Sequence, residues 1–228
     1  MKISIIYRCC EIDSKESFRP KWFSKLNCAK NFLKFFLNKN IDILCVHDGE
    51  IGEIYKLFKE NEIYIYKINN NSNLKSLEYC LNLAKDIVNN DFIYFLEDDY
   101  LHRYEAYDAM VDGFNIIKNN NSIKFLSLQD HMDRYTRTDD LDYGRTNVYV
   151  TNTCHWRTAE STTCTWAIAQ EDYMEFGYNL AMKHRLNDRA LFREALTMGK
   201  RLITPMPGFS THCHLPFLSP TINWAMYT

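Results

Sequence analysis

The sequence predicts an α/β fold, in which helices cover both faces of a mostly parallel central sheet. Short, near-continuous apolar runs recur through the first half of the chain, as expected of strands that are buried on both faces. Between them lie segments whose apolar residues recur at spacings of three and four, which is typical of amphipathic helices. Strands that alternate with such helices form parallel sheets. No linker-like stretch divides the 228 residues, so we expect a single domain, residues 1–228.

Five apolar runs predict the strands of the first half. They are KISIIY (Lys2–Tyr7), IDILCVHDG (Ile41–Gly49), EIYIYKI (Glu62–Ile68), DFIYFL (Asp91–Leu96) and SIKFLSL (Ser122–Leu128). The second run ends at Asp-Gly, a pair that favours a turn. Pro20 suits the first turn of a helix whose apolar side continues to Phe36. Further helices are predicted over residues 51–60, 74–88 and 104–114.

The second half of the chain differs from the first in its amino-acid composition. Residues 129–165 are rich in Arg, Thr, Asp and aromatic residues, and we expect exposed loops there, with strands over TNVYVT and TTCTWAIA. Helices are predicted near 170–182 and 188–198, and Gly199 is expected just after the second one, where a left-handed backbone favours glycine. RLITPM is predicted as the last strand, and Trp166 is predicted to lie in the core.

Charge and cysteine content narrow the class of partner. With 27 basic against 29 acidic residues, the chain has no overall field that would favour nucleic acid or an anionic membrane. None of the eight cysteines forms a CxxC spacing, and several lie in apolar segments, so we expect reduced thiols and a cytoplasmic protein. MKISIIYR is too short for a signal peptide, and no run approaches the roughly 18 apolar residues of a transmembrane segment.

Three consecutive acids, Glu97, Asp98 and Asp99, follow the fourth predicted strand. Like charges this close disfavour one another's ionisation, so a positive group is expected beside them. Ligands of open parallel sheets bind beyond the carboxyl ends of the strands, where Arg8 and Asp48 also fall. A Mg²⁺ or Mn²⁺ ion with carboxylate and phosphate ligands would relieve the repulsion. The alternative is that the acids only favour the N-terminus of the next helix.

FIYFLEDDY resembles the strand and DXD motif of glycosyltransferases of the GT-A fold. ILCVHDGE resembles the second strand of that family, and LNDRALFREALTMGKRLITP resembles the segment that carries its catalytic base. The resemblance implies a GT-A-like, Rossmann-like sheet with a nucleotide-sugar-binding half, residues 1–100, and an acceptor-binding half, residues 101–228. The acids read E-D-D rather than D-x-D, so either Glu97 with Asp99 or Asp98 with Asp99 could form the motif.

The resemblance also implies a role for each residue of the nucleotide half. Asp99 would coordinate the metal, and Asp98 would reach the ribose or the metal's water shell. Asp48 would accept a hydrogen bond from a uracil-type base. Arg8 would line the base or phosphate pocket, and Lys75 would meet the diphosphate.

Three candidates lie in the second half. Asp188 opens a predicted helix, where it or Asn187 could be the N-cap, and the resemblance implies that Asp188 is the general base of an inverting reaction. His212 and His214 in STHCHLP lie on one face of an extended segment, with Cys213 pointing the other way. Many GT-A enzymes use a late histidine as a metal ligand, and either of these two could serve.

A group of aromatic and basic residues in the polar region is expected to form a wall against the donor or the acceptor, because aromatic rings pack on sugars and guanidinium forks bind phosphates. The residues are Arg134, Arg137, His155, Trp156 and Arg157.

The expected function is transfer of a sugar from a nucleotide-diphosphate sugar of UDP or GDP type to a hydroxyl of a glycan or another acceptor. The reaction is expected to need Mn²⁺ or Mg²⁺ and to invert the anomeric centre. Two alternatives remain open: a sugar-nucleotide nucleotidyltransferase, and a non-catalytic nucleotide- or carbohydrate-binding module of the same fold. A nucleotidyltransferase would want a glycine-rich basic loop after the first strand, where this chain has YRCCEIDSKE. The absence of GxGxxG and GxxxxGK[ST] argues against dehydrogenases and P-loop enzymes.

Overall fold

The computed structural model describes residues 1–13, 17–87, 90–136 and 146–228. Within these ranges, nine strands form one sheet in the order β3-β2-β1-β4-β9-β6-β10-β8-β7, and two more form a small separate sheet. The large sheet contains β1 (Ile3–Cys9), β2 (Ile41–Asp48), β3 (Tyr64–Ile68), β4 (Phe92–Glu97), β6 (Ile123–Leu126), β7 (Val148–Val150), β8 (His155–Ala159), β9 (Trp166–Ala169) and β10 (Arg201–Met206). The small sheet pairs β5 (Tyr100–His102) with β11 (Ser210–His212).

The large sheet is mostly parallel, as predicted. β3, β2, β1 and β4 run side by side in parallel, and β6 pairs in parallel with β10. β9, which is the predicted strand within TTCTWAIA, inserts between β4 and β6 and runs antiparallel to both. β8 is also antiparallel to its neighbours β10 and β7. The carboxyl ends of β1, β2 and β4 therefore lie next to one another at one edge of the sheet.

Helices cover both faces of the sheet. The α-helices are α1 (Lys25–Phe36), α2 (Glu53–Glu60), α3 (Asn73–Asp86), α4 (Ala106–Lys118), α5 (Asp133–Thr136), α6 (Gln170–Asp172), α7 (Tyr178–Lys183) and α8 (Asp188–Thr197), with a π-helical turn at Tyr173–Gly177 between α6 and α7. One core joins α1, α2 and α4 to one face of the sheet. A second core joins α3, α7 and α8 to the other face. The two cores confirm the predicted architecture.

The start of α1 differs from the prediction. The helix was expected from Pro20, but Pro20 lies in a turn, where its carbonyl accepts a hydrogen bond from the amide of Phe23. α1 begins at Lys25 because the Ser24 hydroxyl accepts from the amide of Asn27 and so caps the first turn. At the other end of the chain, Gly199 follows α8 with φ +73°, which confirms the predicted left-handed position.

Trp156 is the clearest error among the predicted wall residues. It lies on β8, is fully buried, and belongs to the core that contains α1 and α4. Its indole N–H donates to the Thr151 hydroxyl at 3.1 Å, so its one polar atom is satisfied inside the protein. Trp156 therefore cannot contact a sugar. Trp166 is buried as predicted.

Three further predictions concern the last strand, the cysteines and membrane-spanning segments. RLITPM forms β10 but is not the last strand, since β11 follows it. All eight cysteines are free thiols. Among the described residues, no helix has the length and apolar character needed to cross a membrane.

Candidate functional site

A cleft of about 480 Å³ lies beyond the carboxyl ends of β1, β2 and β4. It is lined by residues 8–12, 48–50, 71–73 and 97–99, and by the side chains of Arg19, Lys25 and Ser76. This is where ligands of open parallel sheets bind, and the predicted meeting of the three strand ends is confirmed.

Each of the three consecutive acids forms an ion pair with its own basic residue. The Asp98 carboxylate lies 3.0 Å from the Lys25 ammonium, and the Asp99 carboxylate lies 2.8 Å from the Arg19 guanidinium. Glu97 pairs with Arg8. The positive charge expected beside these acids is therefore supplied by the chain itself. Only Arg8 of the three bases was predicted, because nothing in the local sequence relates Arg19 or Lys25 to the acids.

Asp98 is hydrogen-bonded to the backbone just after the carboxyl end of β1. Besides Lys25, its Oδ2 accepts a hydrogen bond from the amide of Cys10 at 2.8 Å. Burial raises the pKa of Asp98, and the Lys25 ammonium works against that rise. Lys25 is the first residue of α1, so the helix N-terminus and the acid cluster are tied together.

Asp99 contacts two side chains, Arg19 and His212, through one of its carboxylate oxygens. Its Oδ2 accepts from Arg19 Nη2 at 2.8 Å and interacts with His212 Nε2 at 2.9 Å, whereas its buried Oδ1 has no partner among the described residues. Burial raises the pKa of Asp99, but His212 and Arg19 outweigh burial and hold the pKa well below its ordinary value. The small sheet explains the contact, because His212 pairs with Tyr100, the residue after Asp99.

The rings of the two candidate histidines stack on each other with centroids 5.5 Å apart, but their other contacts differ. His212 contacts Asp99, and its ring stacks on that of Tyr100 with centroids 5.3 Å apart. His214 instead packs its ring against Phe18, at a centroid distance of 3.9 Å, and against Phe217, at 4.5 Å. Cys213 points the other way, as predicted, and its sulfur lies 3.7 Å from that of Cys28.

The predicted metal ligands come together only in part. Among residues 1–13, 17–87, 90–136 and 146–228, no group of three or more His, Cys, Asp or Glu side chains is arranged to hold a metal ion. Two candidate ligands do meet: His212 contacts Asp99 Oδ2, and Asp99 Oδ1 has no hydrogen-bond partner in the part of the chain that the structure describes. Mg²⁺ and Mn²⁺ sites use few protein ligands when substrate phosphates complete the coordination, so the pair fits a divalent ion that binds together with a phosphate-bearing ligand.

Asp48 and Arg8 line the cleft but also hold the backbone around it. Asp48 Oδ1 accepts from the amides of Asn70 and Asn71 at 2.7 and 3.0 Å, and its Oδ2 accepts from the amide of Ser72 at 3.2 Å. Arg8 Nη1 donates to the Asn73 carbonyl at 3.0 Å and to the Ser76 hydroxyl at 3.1 Å. Both side chains thus fix the loop that leads into α3.

Lys75 differs from the other predicted nucleotide contacts. It lies on the exposed first turn of α3, where its amide donates to the Ser72 hydroxyl, and its side chain is not among those that line the cleft.

Asp188 lies at the start of α8 and does not line the cleft. Asn187 is the N-cap, since its side chain accepts from the amide of Ala190 at 3.1 Å. Asp188 instead accepts from the amide of Cys164 at 3.2 Å and from that of Arg189 at 2.9 Å, and burial raises its pKa. Cys164 has a left-handed backbone with φ +53°, and its thiol pKa is raised by burial and then by Glu97 and Asp188. Cys164 thus lies within electrostatic reach of both carboxylates.

Two of the remaining wall candidates, Arg134 and Arg157, belong to a largely buried polar network rather than to an open surface. Arg157 donates to Asp130 at 2.6 Å, and its guanidinium lies over the ring of Tyr135 at 4.5 Å. Arg134 donates to the Thr204 hydroxyl at 3.0 Å and to the Ser161 carbonyl, and burial lowers its pKa to about 10. Asp130 was not predicted, because it follows its strand as a single acid.

Two wall candidates stand apart from that network. His155 is exposed at the start of β8. Arg137 lies outside the described residues.

Comparison with solved structures confirms the predicted fold. The chain superposes on CMP:2-keto-3-deoxy-manno-octonic acid synthetase in complex with CTP, with a TM-score of 0.51 and 10% identity over 90% of this chain and 89% of that chain. It superposes on the TarS 1-349 fragment from S. aureus with a TM-score of 0.52 and 13% identity, over 90% of this chain and 58% of that chain. A protein from Desulfovibrio desulfuricans G20 described as a nucleotide-diphospho-sugar transferase matches with a TM-score of 0.50 and 5% identity, over 89% and 78% of the two chains.

These identities are low, and the likeness shows the fold alone. The fold is the GT-A-like α/β architecture that the sequence predicted. This chain spans just over half of the TarS fragment, at 58%. No protein-family model and no curated protein sequence matches the chain.

Proposed function

We propose that the protein is a glycosyltransferase that moves a sugar from a nucleotide-diphosphate sugar to a hydroxyl of a glycan or another acceptor. The observation that carries the proposal is that Asp98 and Asp99 line a cleft at the carboxyl ends of β1 and β4, and that His212 contacts Asp99. The shared fold with TarS and with the protein described as a nucleotide-diphospho-sugar transferase supports it. In this proposal residues 1–100 bind the donor and residues 101–228 bind the acceptor.

Each side chain of the cleft has a part in binding the donor. Asp48 keeps one lone pair on Oδ2 for a uracil-type base. Asp98 would reach the ribose or the metal's water shell. Arg8 and Lys25 hold Glu97 and Asp98 in place and add positive charge near the diphosphate. Asp99 and His212 would hold Mn²⁺ or Mg²⁺, which neutralises the charge that builds up on a departing nucleotide diphosphate.

Asp188 is proposed as the general base that takes the proton from the acceptor hydroxyl. Burial raises the pKa of Asp188 above that of an exposed aspartate and so towards neutral pH. A general base is most effective when its pKa lies near the pH at which the enzyme works. The two backbone amides that it accepts from fix its orientation.

Nucleotidyl transfer is the second candidate function. The observation that favours it is the match to CMP:2-keto-3-deoxy-manno-octonic acid synthetase, of which this chain spans 89%. The loop after β1 argues against it. It contains Glu11, whose carboxylate accepts from the amides of Gly52, Ile54 and Tyr55, so an acid occupies the segment where a basic, glycine-rich loop would be needed.

Calorimetric titration with UDP, GDP, CDP and CTP, with and without Mn²⁺, tests the donor site. We expect one nucleoside diphosphate to bind more tightly with Mn²⁺, and Asp99→Asn to weaken that binding by at least about tenfold, or about 1.4 kcal/mol. Asp108→Asn is the matched control, because Asp108 is exposed on α4, away from the cleft. Unchanged affinity in Asp99→Asn would contradict the site. Preferred binding of CTP, with pyrophosphate release, would favour nucleotidyl transfer.

Asp188→Asn separates catalysis from binding. We expect it to bind the nucleoside diphosphate as tightly as the wild type, because Asp188 does not line the cleft. Sugar transfer, measured with the donor identified by titration, should fall by roughly 10²–10⁴-fold, the usual contribution of general-base catalysis. Transfer at the wild-type rate would exclude Asp188 as the base. Donor binding without any transfer or donor hydrolysis in the wild type would favour a non-catalytic binding module.

A further inference from the structure

The Arg19 guanidinium holds the carboxylate that the proposed function assigns to the metal. Arg19 Nη2 and His212 Nε2 both contact the same oxygen of Asp99, at 2.8 and 2.9 Å. The side chains of Arg19 and Asp99 are only 14% and 11% exposed, so the ion pair is largely withdrawn from water. A divalent ion on its own therefore has to compete with a resident positive charge.

Resting on the proposed function, we propose that Arg19 is a displaceable counter-ion of Asp99, which a divalent cation replaces only when a nucleoside diphosphate binds with it. The guanidinium then turns from Asp99 to the phosphates. Metal and nucleotide are thereby coupled, and each raises the affinity for the other by the same factor.

Arg19 is held differently from the other two bases of the cleft. Arg8 lies on β1 and Lys25 on α1, whereas Arg19 lies in residues 17–24, which form neither helix nor strand. Its guanidinium lies over the ring of Phe23 at 4.6 Å and donates to the Cys213 carbonyl at 2.9 Å. Rotation of this side chain alone would release Asp99 without disturbing a regular element.

The charges of the cleft explain why the divalent ion and the nucleoside diphosphate should bind together. Its described lining carries six acidic side chains (Glu11, Asp48, Glu50 and residues 97–99) and three basic ones (Arg8, Arg19 and Lys25). This excess of negative charge opposes a bare diphosphate. A metal–diphosphate complex brings its own positive charge to Asp99, and the freed guanidinium gains a phosphate, for which its planar fork of donors is well suited.

A purely structural role for Arg19 predicts the opposite effect on metal binding. If Arg19 only braces the Cys213 carbonyl, its removal would loosen the segment that carries His212 and weaken the metal site. If Arg19 competes with the metal, its removal exposes Asp99 and strengthens metal binding. The sign of the change therefore decides between the two roles.

The test is Mn²⁺ titration of the full chain, followed by the electron paramagnetic resonance signal of free Mn²⁺. Wild type, Arg19→Met and Lys25→Met are compared with MnCl₂ alone and with MnCl₂ plus UDP, GDP or CDP. We expect Arg19→Met to bind Mn²⁺ alone at least about tenfold more tightly than wild type, and the gain from added nucleotide to shrink. Lys25→Met is the matched control, since it removes the same charge from the same cleft but beside Asp98.

The outcomes separate this inference from the proposed function. If wild type binds Mn²⁺ with a nucleotide but Arg19→Met binds Mn²⁺ alone no more tightly than wild type, or no more tightly than Lys25→Met, the counter-ion role is overturned and the proposed function stands. Absence of Mn²⁺ binding in folded wild type and variants, with every nucleotide, overturns both. Arg19→Lys is the fallback if Arg19→Met does not fold. It keeps the charge but loses the planar fork of donors that contacts Asp99 and Cys213 together, and we expect its affinity for Mn²⁺ alone to be more than twofold higher than that of wild type. An unchanged or lower affinity overturns the role.

Discussion

Asp99 illustrates how single residues of this cleft depend on distant parts of the chain. Its guanidinium partner lies 80 positions earlier and its imidazole partner 113 positions later. The local sequence indicated that three adjacent acids need positive charge nearby. It could not say which residues supply that charge, because the partners come together only through the fold.

His102 gives a residue-scale prediction about pH. It is fully buried against the rings of Phe32, Phe36 and Tyr94, and burial lowers its pKa from the ordinary 6.5 to about 3. Below pH 6.5 the unfolded chain therefore binds a proton that the folded protein does not, so this contribution to stability is complete above pH 6.5 and is lost as the pH falls towards 3. At pH 5 the loss should be about 2 kcal/mol.

Urea unfolding at several pH values between 5 and 7.5 measures this effect. His102→Gln should flatten the decline of the free energy of unfolding at acid pH, whatever its effect on stability at pH 7.5. His155→Gln is the control, because His155 is exposed and should leave the slope close to that of wild type. An equal slope in wild type and His102→Gln would show that His102 is not the group responsible.

At the scale of elements, the packing of β8 against α4 explains why Trp156 was misassigned. The segment HWRTAE looks polar because Trp156 is its only large apolar side chain and its only fully buried one. Gly113 of α4 leaves room for that side chain: a Cβ at this position would lie 2.9 Å from the Trp156 ring and 2.1 Å from a methyl group of Leu126. A strand with a single large inward residue gives no periodic signal in the sequence.

Trp156→Ala distinguishes a core residue from a ligand contact. Truncation of a fully buried tryptophan should lower the free energy of unfolding by about 3–5 kcal/mol. His155→Ala, which changes the exposed neighbour on the same strand, should stay within about 0.5 kcal/mol of wild type. Both values come from urea denaturation. A loss of less than about 1 kcal/mol in Trp156→Ala would contradict the core assignment, and Trp156→Phe serves if the alanine variant does not fold.

At the scale of the whole molecule, the sequence predicted the parallel half of the sheet well. Long apolar strands and amphipathic helices carry strong periodic signals, and the meeting of the ends of β1, β2 and β4 follows from their parallel arrangement. The small sheet was missed because β5 and β11 have three residues each, too few to show alternation. The choice between His212 and His214 depended on that sheet, and so it was left open.

The same small sheet affects how the protein acquires its cleft during synthesis. A nascent chain that has reached residue 100 already contains β3, β2, β1 and β4, together with Asp98 and Asp99. β5 has no partner in the small sheet until Ser210–His212 has also been synthesised. His212 therefore reaches Asp99 only after the second half of the large sheet has been made, so the acid cluster is completed later than the strand that carries it.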